Sequence, residues 1–172
     1  MTETMHVRSE EQADRQAVRE LLLAAFPSPA EADVVEALRE RAAPLVSLVA
    51  QEGDAIVGHI VFSPVTLPYV APSLMGLGPM AVFPSRQCCG IGSALVLAGL
   101  GRLRRMGVAA VVVLGHPDYY PRFGFAPAAR FGLDSEYTVS PEAFMLRELR
   151  SGALTGVSGT VRYHPAFAEG GV

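Results

Sequence analysis

The chain contains no lysine and no asparagine, and all fourteen of its basic residues are arginine. A P-loop that holds a nucleoside triphosphate needs Lys followed by Ser or Thr after its last glycine, so the missing lysine argues against that class from the start. The arginine-only usage reads as the coding bias of a GC-rich genome. Cysteine is scarce as well. Cys88 and Cys89 are the two present, and as neighbours in the chain they pair only with strain, which excludes a secreted disulfide framework and leaves too few thiols for a metal cluster. No metal is expected. Long hydrophobic runs are also missing: Leu95 to Leu100 and Ala109 to Leu114 fall well short of the ~20 residues of a membrane span, and the first residues, with Glu3, Arg8 and Glu10, lack an apolar signal core. The sequence predicts a soluble, cytoplasmic protein with no membrane partner. Positive charge is not concentrated either, for the net charge is −3 and the one basic cluster is Arg102, Arg104 and Arg105. These lie in the last turns of a predicted helix, where cations complement the helix dipole and Gly107 can supply the C-cap, so nucleic acid is not an expected partner.

What is present fits one domain over residues 1–172, since half of the residues are apolar and suffice for a sizeable core. Ser9-Glu-Glu-Gln12 matches a capping box opening a helix that runs to about Ala25, and Ser28-Pro-Ala-Glu31 matches another with Pro29 at the first helical position. Leu45 to Gln51 and Ala55 to Phe62 read as strands joined through the turn Glu52-Gly53-Asp54. Pro64 to Pro72 reads as a loop, and Leu74 to Phe83 as the next strand, in which Gly78-Pro79 predicts a bulge because proline cannot donate to the ladder. Ala109 to Gly115 is β-rich, and Glu136 to Val139, Phe144 to Leu149 and Gly159 to Tyr163 are short predicted strands.

Chemistry is concentrated where the strand ending at Phe83 gives way to the helix ending at Met106, at Gln87-Cys88-Cys89-Gly90-Ile91-Gly92-Ser93. Glycines at 90 and 92 let the backbone turn and approach a ligand closely, and the unpaired N–H groups that open a helix point at an anion. A phosphorylated ligand is expected at this turn. A dinucleotide fingerprint would place a third glycine where Leu95 stands.

The remaining pattern, Gln-x-x-Gly-x-Gly from Gln87 to Gly92, resembles the acetyl-CoA pyrophosphate loop of the GNAT N-acetyltransferase superfamily. Downstream, His116-Pro-Asp-Tyr-Tyr-Pro-Arg-Phe-Gly-Phe125 is similar to the Tyr-x-x-x-Gly-Phe segment that follows the fifth strand in that superfamily, with Tyr120 in the tyrosine position. Together with Leu77-Gly-Pro-Met-Ala-Val82, this wording is similar to a bacterial branch of predicted N-acetyltransferases. The resemblance implies an α/β (α+β) fold: a mixed, mostly antiparallel sheet in β-α-α-β-β-β-α-β-α-β order, with splayed fourth and fifth strands and helices on both faces. It implies acetyl-CoA as acetyl donor, a primary amine as acceptor, and direct transfer in a ternary complex. The cosubstrate would contact Met80, Ala81 and Val82 on the bulged strand, and Arg86, Gln87, Cys88, Cys89, Gly90, Ile91, Gly92 and Ser93 in the loop.

Acetyl transfer from a thioester needs a neutral amine, a donor for the developing oxyanion and a proton for the departing thiolate. Tyr120 is the expected acid. His116, titratable near neutrality, is either a base or a holder of the pantetheine arm in place of the asparagine many relatives have there; both readings stay open. His59 and Glu136 are lesser base candidates. Tyr119 reads as packing, and Arg122, Phe123 and Phe125 as a packed corner. The alternative function is a non-catalytic CoA-binding sensor. A homodimer is compatible with the sequence but carries no signal in it.

Overall fold

In a computed structural model, residues 4–69 and 71–172 are described. The chain opens with strand β1 (Met5–Ser9), then helices α1 (Arg15–Ala25) and α2 (Ala30–Arg41), the hairpin β2 (Val46–Glu52) and β3 (Ala55–Val65), and β4 (Leu74–Val82). Helix α3 (Ile91–Arg105) leads to β5 (Ala110–Leu114), followed by short strands β6 (Ala126–Pro127), β7 (Leu133–Ser135), β8 (Phe144–Glu148) and β9 (Gly159–Val161) and by helix α4 (Pro165–Gly170). Among the described residues the main sheet has seven strands in the order β1-β2-β3-β4-β5-β8-β6, and β7 pairs with β9 in a second, parallel pair. Every neighbouring pair in the main sheet is antiparallel except β4 with β5.

Strand alternation sends successive residues to opposite faces, and each face is covered by helices. Leu48, Ala50, Ile60, Phe62, Met75 and Val113 pack against α3 through Ile91, Leu95, Val96 and Leu103. Val49, Val61 and Ala81, on the opposite face, pack against Val18, Leu21 and Leu22 of α1, Val35 and Leu38 of α2, and Phe167 of α4. Helix α3 approaches so closely that a methyl group at Gly99 would stand 2.2 Å from the Phe62 ring. Glycine there is a packing requirement.

Two features of β4 set the site. Ile60 pairs with Met80 but Phe62 pairs with Leu77, so β4 carries one extra residue at Gly78-Pro79, where Gly78 has φ +133°. This is the predicted bulge. Parallel pairing with β5 then covers only Leu74–Gly76 against Ala110–Val112, while β5 continues beside β8. Beyond Gly76 the edge of β4 that faces β5 is open, and the two strands diverge as the resemblance implies.

Several local expectations are corrected. Ser9 ends β1 and accepts a hydrogen bond from Arg102 Nη2 at 2.9 Å, so it opens no helix. The turn is set instead by Asp14, whose carboxylate accepts from the Glu11 N–H at 2.7 Å and from both guanidinium ends of Arg8, at 2.7 and 2.9 Å. Pro29 is the residue before α2 rather than its first, although Ser28 Oγ does accept from the Ala30 N–H at 3.3 Å. The stretch Pro64–Pro72 is not wholly loop, because β3 runs on to Val65. In place of the α-helix expected between the fifth and following strands there are 3-10 turns at Tyr120–Phe123 and Ala128–Phe131, each closed by a glycine of positive φ, Gly124 and Gly132. The strand expected at Glu136–Val139 forms earlier, at Leu133–Ser135. No helix among the described residues is long and apolar enough to cross a membrane.

Candidate active site

The open edge of β4 carries usable backbone groups. The Phe83 N–H donates to the Val57 carbonyl at 2.8 Å, and antiparallel alternation therefore turns the backbone of Ala81 toward β3 and that of Met80 and Val82 toward the gap. Consistent with this, the Val82 carbonyl accepts from Gln87 Nε2 at 3.2 Å. Of the three β4 residues expected to contact the cosubstrate, Met80 and Val82 thus present N–H and C=O groups to the gap, and Ala81 does not.

At the end of β4 the loop enters α3 through two left-handed residues, Cys88 (φ 61°) and Gly90 (φ 83°). The Ala94 N–H makes the first helical bond, to Gly90, which leaves the N–H groups of Ile91, Gly92 and Ser93 without helical partners. A methyl group at Gly90 would meet nothing within 4 Å, so glycine is required there by conformation. At Gly92 the requirement is space, since a methyl would stand 2.8 Å from the Tyr119 hydroxyl. Arg86 forms an ion pair with Glu52 at the β2–β3 turn, and Cys88 and Cys89 are exposed thiols.

The gap opens into a cleft of about 660 Å³. One part of its wall is Leu77, Gly78, Pro79 and Met80 of β4 with Val113, Leu114, Gly115, His116 and Tyr120 at the end of β5. The other part comes from Phe26 and Glu31 at the α1–α2 junction and from Tyr137, Thr138, Val139, Tyr163 and Phe167 near the C-terminus. Tyr120 is held edge-on by Tyr119, Phe123 and Phe125, with ring centroids 5.1, 6.4 and 5.7 Å away. A methyl at Gly115 would stand 2.4 Å from the Tyr120 ring, so that glycine forms the slot in which the ring lies. Burial, helped by the neighbouring Tyr119, pushes the Tyr120 phenol up to about 12, so it stays protonated at physiological pH. His116 stands exposed at the cleft wall, and its carbonyl accepts from the Tyr119 N–H at 3.1 Å. Arg122 stacks on the Tyr119 ring at 4.6 Å and its Nε donates to the Tyr119 carbonyl at 2.9 Å, completing the corner.

The two lesser base candidates do not reach the cleft. His59 is fully buried between β2 and β4, with Nε2 2.8 Å from Ser47 Oγ and 3.0 Å from Glu10 Oε2. Arg39 Nε lies 2.7 Å from Glu10 Oε1, an ion pair by distance although poorly aligned as a hydrogen bond. Glu136 accepts from the Tyr163 N–H at 3.1 Å and faces Arg162 at 3.8 Å. The sequence assigns acceptor selectivity to the first two helices, the Pro64–Pro72 loop and the C-terminal segment without naming residues, and it misses Gly115. The second wall does come from the α1–α2 junction and the C-terminal part, and no described residue of the Pro64–Pro72 loop lines the cleft. Gly115, directly after β5, was legible as a close-approach glycine; Glu31 and the aromatic wall come from both ends of the chain and leave no local pattern.

A bulged strand splayed from its parallel neighbour, with a glycine-capped helix at one end of the gap and a buried tyrosine near the other, has counterparts among known proteins. The model of the acetyltransferase (GNAT) family matches residues 15–125. The chain belongs to that family. It is 37% identical over 164 residues, 95% of this chain and 98% of the relative, to the protein named uncharacterized N-acetyltransferase YhbS of Escherichia coli K12. The crystal structure of Escherichia coli YhbS in complex with CoA superimposes with a TM-score of 0.91 at 36% identity, over 96% of this chain and 93% of that one. A GNAT-family acetyltransferase from Brucella melitensis in complex with acetyl-CoA gives 0.80 at 34% identity, over 96% and 99%. The chain is therefore a GNAT N-acetyltransferase with the mixed, mostly antiparallel sheet of that family.

Proposed function

We propose that this chain moves the acetyl group of acetyl-CoA to a primary amine of a small molecule or peptide by direct attack in a ternary complex, with residues 1–172 acting as one domain in a bacterial cytoplasm. The observation that carries the reading is the open edge of β4, where Met80 and Val82 offer backbone groups to a gap that ends at Tyr120. The similarity to structures holding CoA and acetyl-CoA supports the choice of donor.

In this reading the N–H groups of Ile91, Gly92 and Ser93 receive the pyrophosphate, because they have no helical partners to give up. Arg86, Gln87, Cys88, Cys89 and Gly90 shape the same turn. Arg86 and Gln87 must exchange Glu52 and the Val82 carbonyl to contact a phosphate, so the backbone contributes first. The pantetheine arm lies along Met80, Ala81 and Val82, and a β4 N–H meets the carbonyl oxygen as the amine adds and charge develops. The C–N bond forms and the C–S bond breaks. Of the ammonium's two surplus protons, one leaves to solvent, directly or through His116, and the other ends on the CoA sulfur.

Tyr120 serves that sulfur as a hydrogen-bond donor. A phenol near 12 is a weaker acid than a thiol near 8.5 by some 3.5 pKa units, so complete proton transfer is uphill by about 5 kcal/mol. Donation without transfer still stabilises the departing thiolate. The test is a melting curve with acetyl-CoA, ATP or NAD, followed by thiol release over an amine panel. A shift specific to acetyl-CoA together with amine-dependent release is expected. A shift without release for any amine would leave a CoA-binding sensor, and no shift at millimolar acetyl-CoA would overturn the reading.

A further inference from the structure

We propose that Glu31 is the anchor that selects the acceptor, and that the acceptor is a primary ammonium on an apolar, aromatic body with no acidic group beside the amine. This rests on the acetyl-transfer reading and adds to it the chemistry of the second substrate.

Glu31 stands in the first turn of α2 and lines the cleft, and its Oε2 is buried with no hydrogen-bond partner among the described residues. A buried carboxylate oxygen without a donor is an unmet demand, because burial takes away its water and no protein group replaces it. Among its described lining residues the cleft has no arginine, and Glu31 is the one acidic side chain. The α2 N-terminus favours this charge but no side-chain cation among the described lining residues pairs with it, so an ammonium is favoured beside Glu31 over a carboxylate.

The surroundings specify the rest of the ligand. Tyr163 and Phe167 meet edge to face at 5.7 Å, Tyr137 lies 6.0 Å from Tyr163, and Phe26 lines the same cleft. Such rings accommodate an apolar or aromatic body, and a ring face adds attraction for an ammonium close to it. The Tyr163 hydroxyl is also buried without a partner among the described residues, and burial raises its pKa far above the ordinary phenol value, which keeps it a neutral group able to accept or donate one hydrogen bond. An arylalkylamine answers all of these demands together. A free amino acid, carrying a carboxylate next to the amine, meets the Glu31 charge with its own.

The test compares phenethylamine with phenylalanine, which differ by that carboxylate, in thiol-release rates at saturating acetyl-CoA. The wild-type chain should favour phenethylamine by roughly tenfold or more in kcat/KM, the scale of one charge-assisted contact. Glu31→Gln should raise the KM for phenethylamine by a similar factor, leave the KM for acetyl-CoA unchanged and remove most of the preference. A second measurement needs no variant: equilibrium dialysis of the CoA-loaded wild-type chain with phenethylamine, which CoA without an acetyl group cannot modify, and with 3-phenylpropionate. The cation should bind and the anion should not. Equal use of phenylalanine, an unchanged phenethylamine KM in Glu31→Gln, or no binding of the cation would each overturn the proposal. An absent melting shift with acetyl-CoA would instead sink the acetyl-transfer reading beneath it.

Discussion

Replacing Tyr120 by Phe isolates one hydroxyl. The ring makes the edge-to-face contacts with Tyr119, Phe123 and Phe125 and fills the slot over Gly115, and all of that survives the change. The hydroxyl makes no hydrogen bond to a described residue, so its removal leaves no partner unsatisfied and stability should fall by less than the ~1 kcal/mol of a typical hydrogen bond. Catalysis should respond more. A hydrogen bond to a charged group contributes about 1.5–3 kcal/mol, which converts to roughly 10- to 150-fold in kcat if Tyr120 donates to the departing thiolate. Because the phenol is held near 12, the wild-type rate should show no decline from its ionisation up to about pH 10. The assay is single-turnover thiol release with a fast amine acceptor, beside a direct titration of acetyl-CoA. The expected result is unchanged affinity with a slower chemical step. A wild-type chemical step would refute the role and mean that the thiolate leaves unaided, whereas weakened acetyl-CoA affinity would make Tyr120 a binding residue.

Gly90→Val should weaken acetyl-CoA binding by roughly tenfold or more in a calorimetric titration, because φ 83° is strained for a β-branched residue and the turn must open to relieve it. Gly99→Ala gains about 1 kcal/mol of helix propensity but forces a methyl against the Phe62 ring, and overpacking of about 1–3 kcal/mol should win, lowering the melting temperature by a few degrees. Stability should also fall on mild acidification. Burial holds the His59 pKa below the ordinary imidazole range, and its Nδ1 has no partner among the described residues to accept a new proton. The unfolded chain takes up that proton near pH 6.5 while the folded one resists, so the contribution is full above that pH and lost as pH falls below it. Glu10 faces the same histidine; burial opposes its charge, yet hydrogen bonds from His59 and Ser47 outweigh that and leave its pKa below the usual carboxylate range, so its loss comes at lower pH. Melting curves between pH 7.5 and 5.5 should fall less steeply for His59→Gln than for the wild-type chain.

The strands whose apolar residues alternate or run continuously, from Leu45 through Ala109, were legible because burial on two helical layers imposes that pattern. The bulge was legible because proline and glycine stand together inside a strand, and the loop because Gly90 and Gly92 are required by conformation and space. Strand β1 carried no such mark, since at the sheet edge only Met5 and Val7 of its five residues are apolar and none is fully buried. The first helix boundary was misjudged because Ser9, Glu11 and Asp14 all suit a cap, and the Arg8–Asp14 pairing that decides between them crosses from a strand to a turn. Prolines at 117, 121 and 127 are what breaks the segment after β5 into 3-10 turns rather than a helix. The first two helices and the C-terminal segment are expected on the acceptor side, but the residues themselves were not legible because no local pattern links Glu31 to Tyr163; the packing of α2 against α4 brings those two ends of the chain together.

A crystal structure of this chain grown with acetyl-CoA would read the path of the cosubstrate through the fold. The pyrophosphate should lie against the N–H groups of Ile91, Gly92 and Ser93, the arm in the gap beside Met80 and Val82, and the sulfur within hydrogen-bond reach of the Tyr120 hydroxyl. A cosubstrate bound elsewhere, with the gap between β4 and β5 empty, would contradict that path.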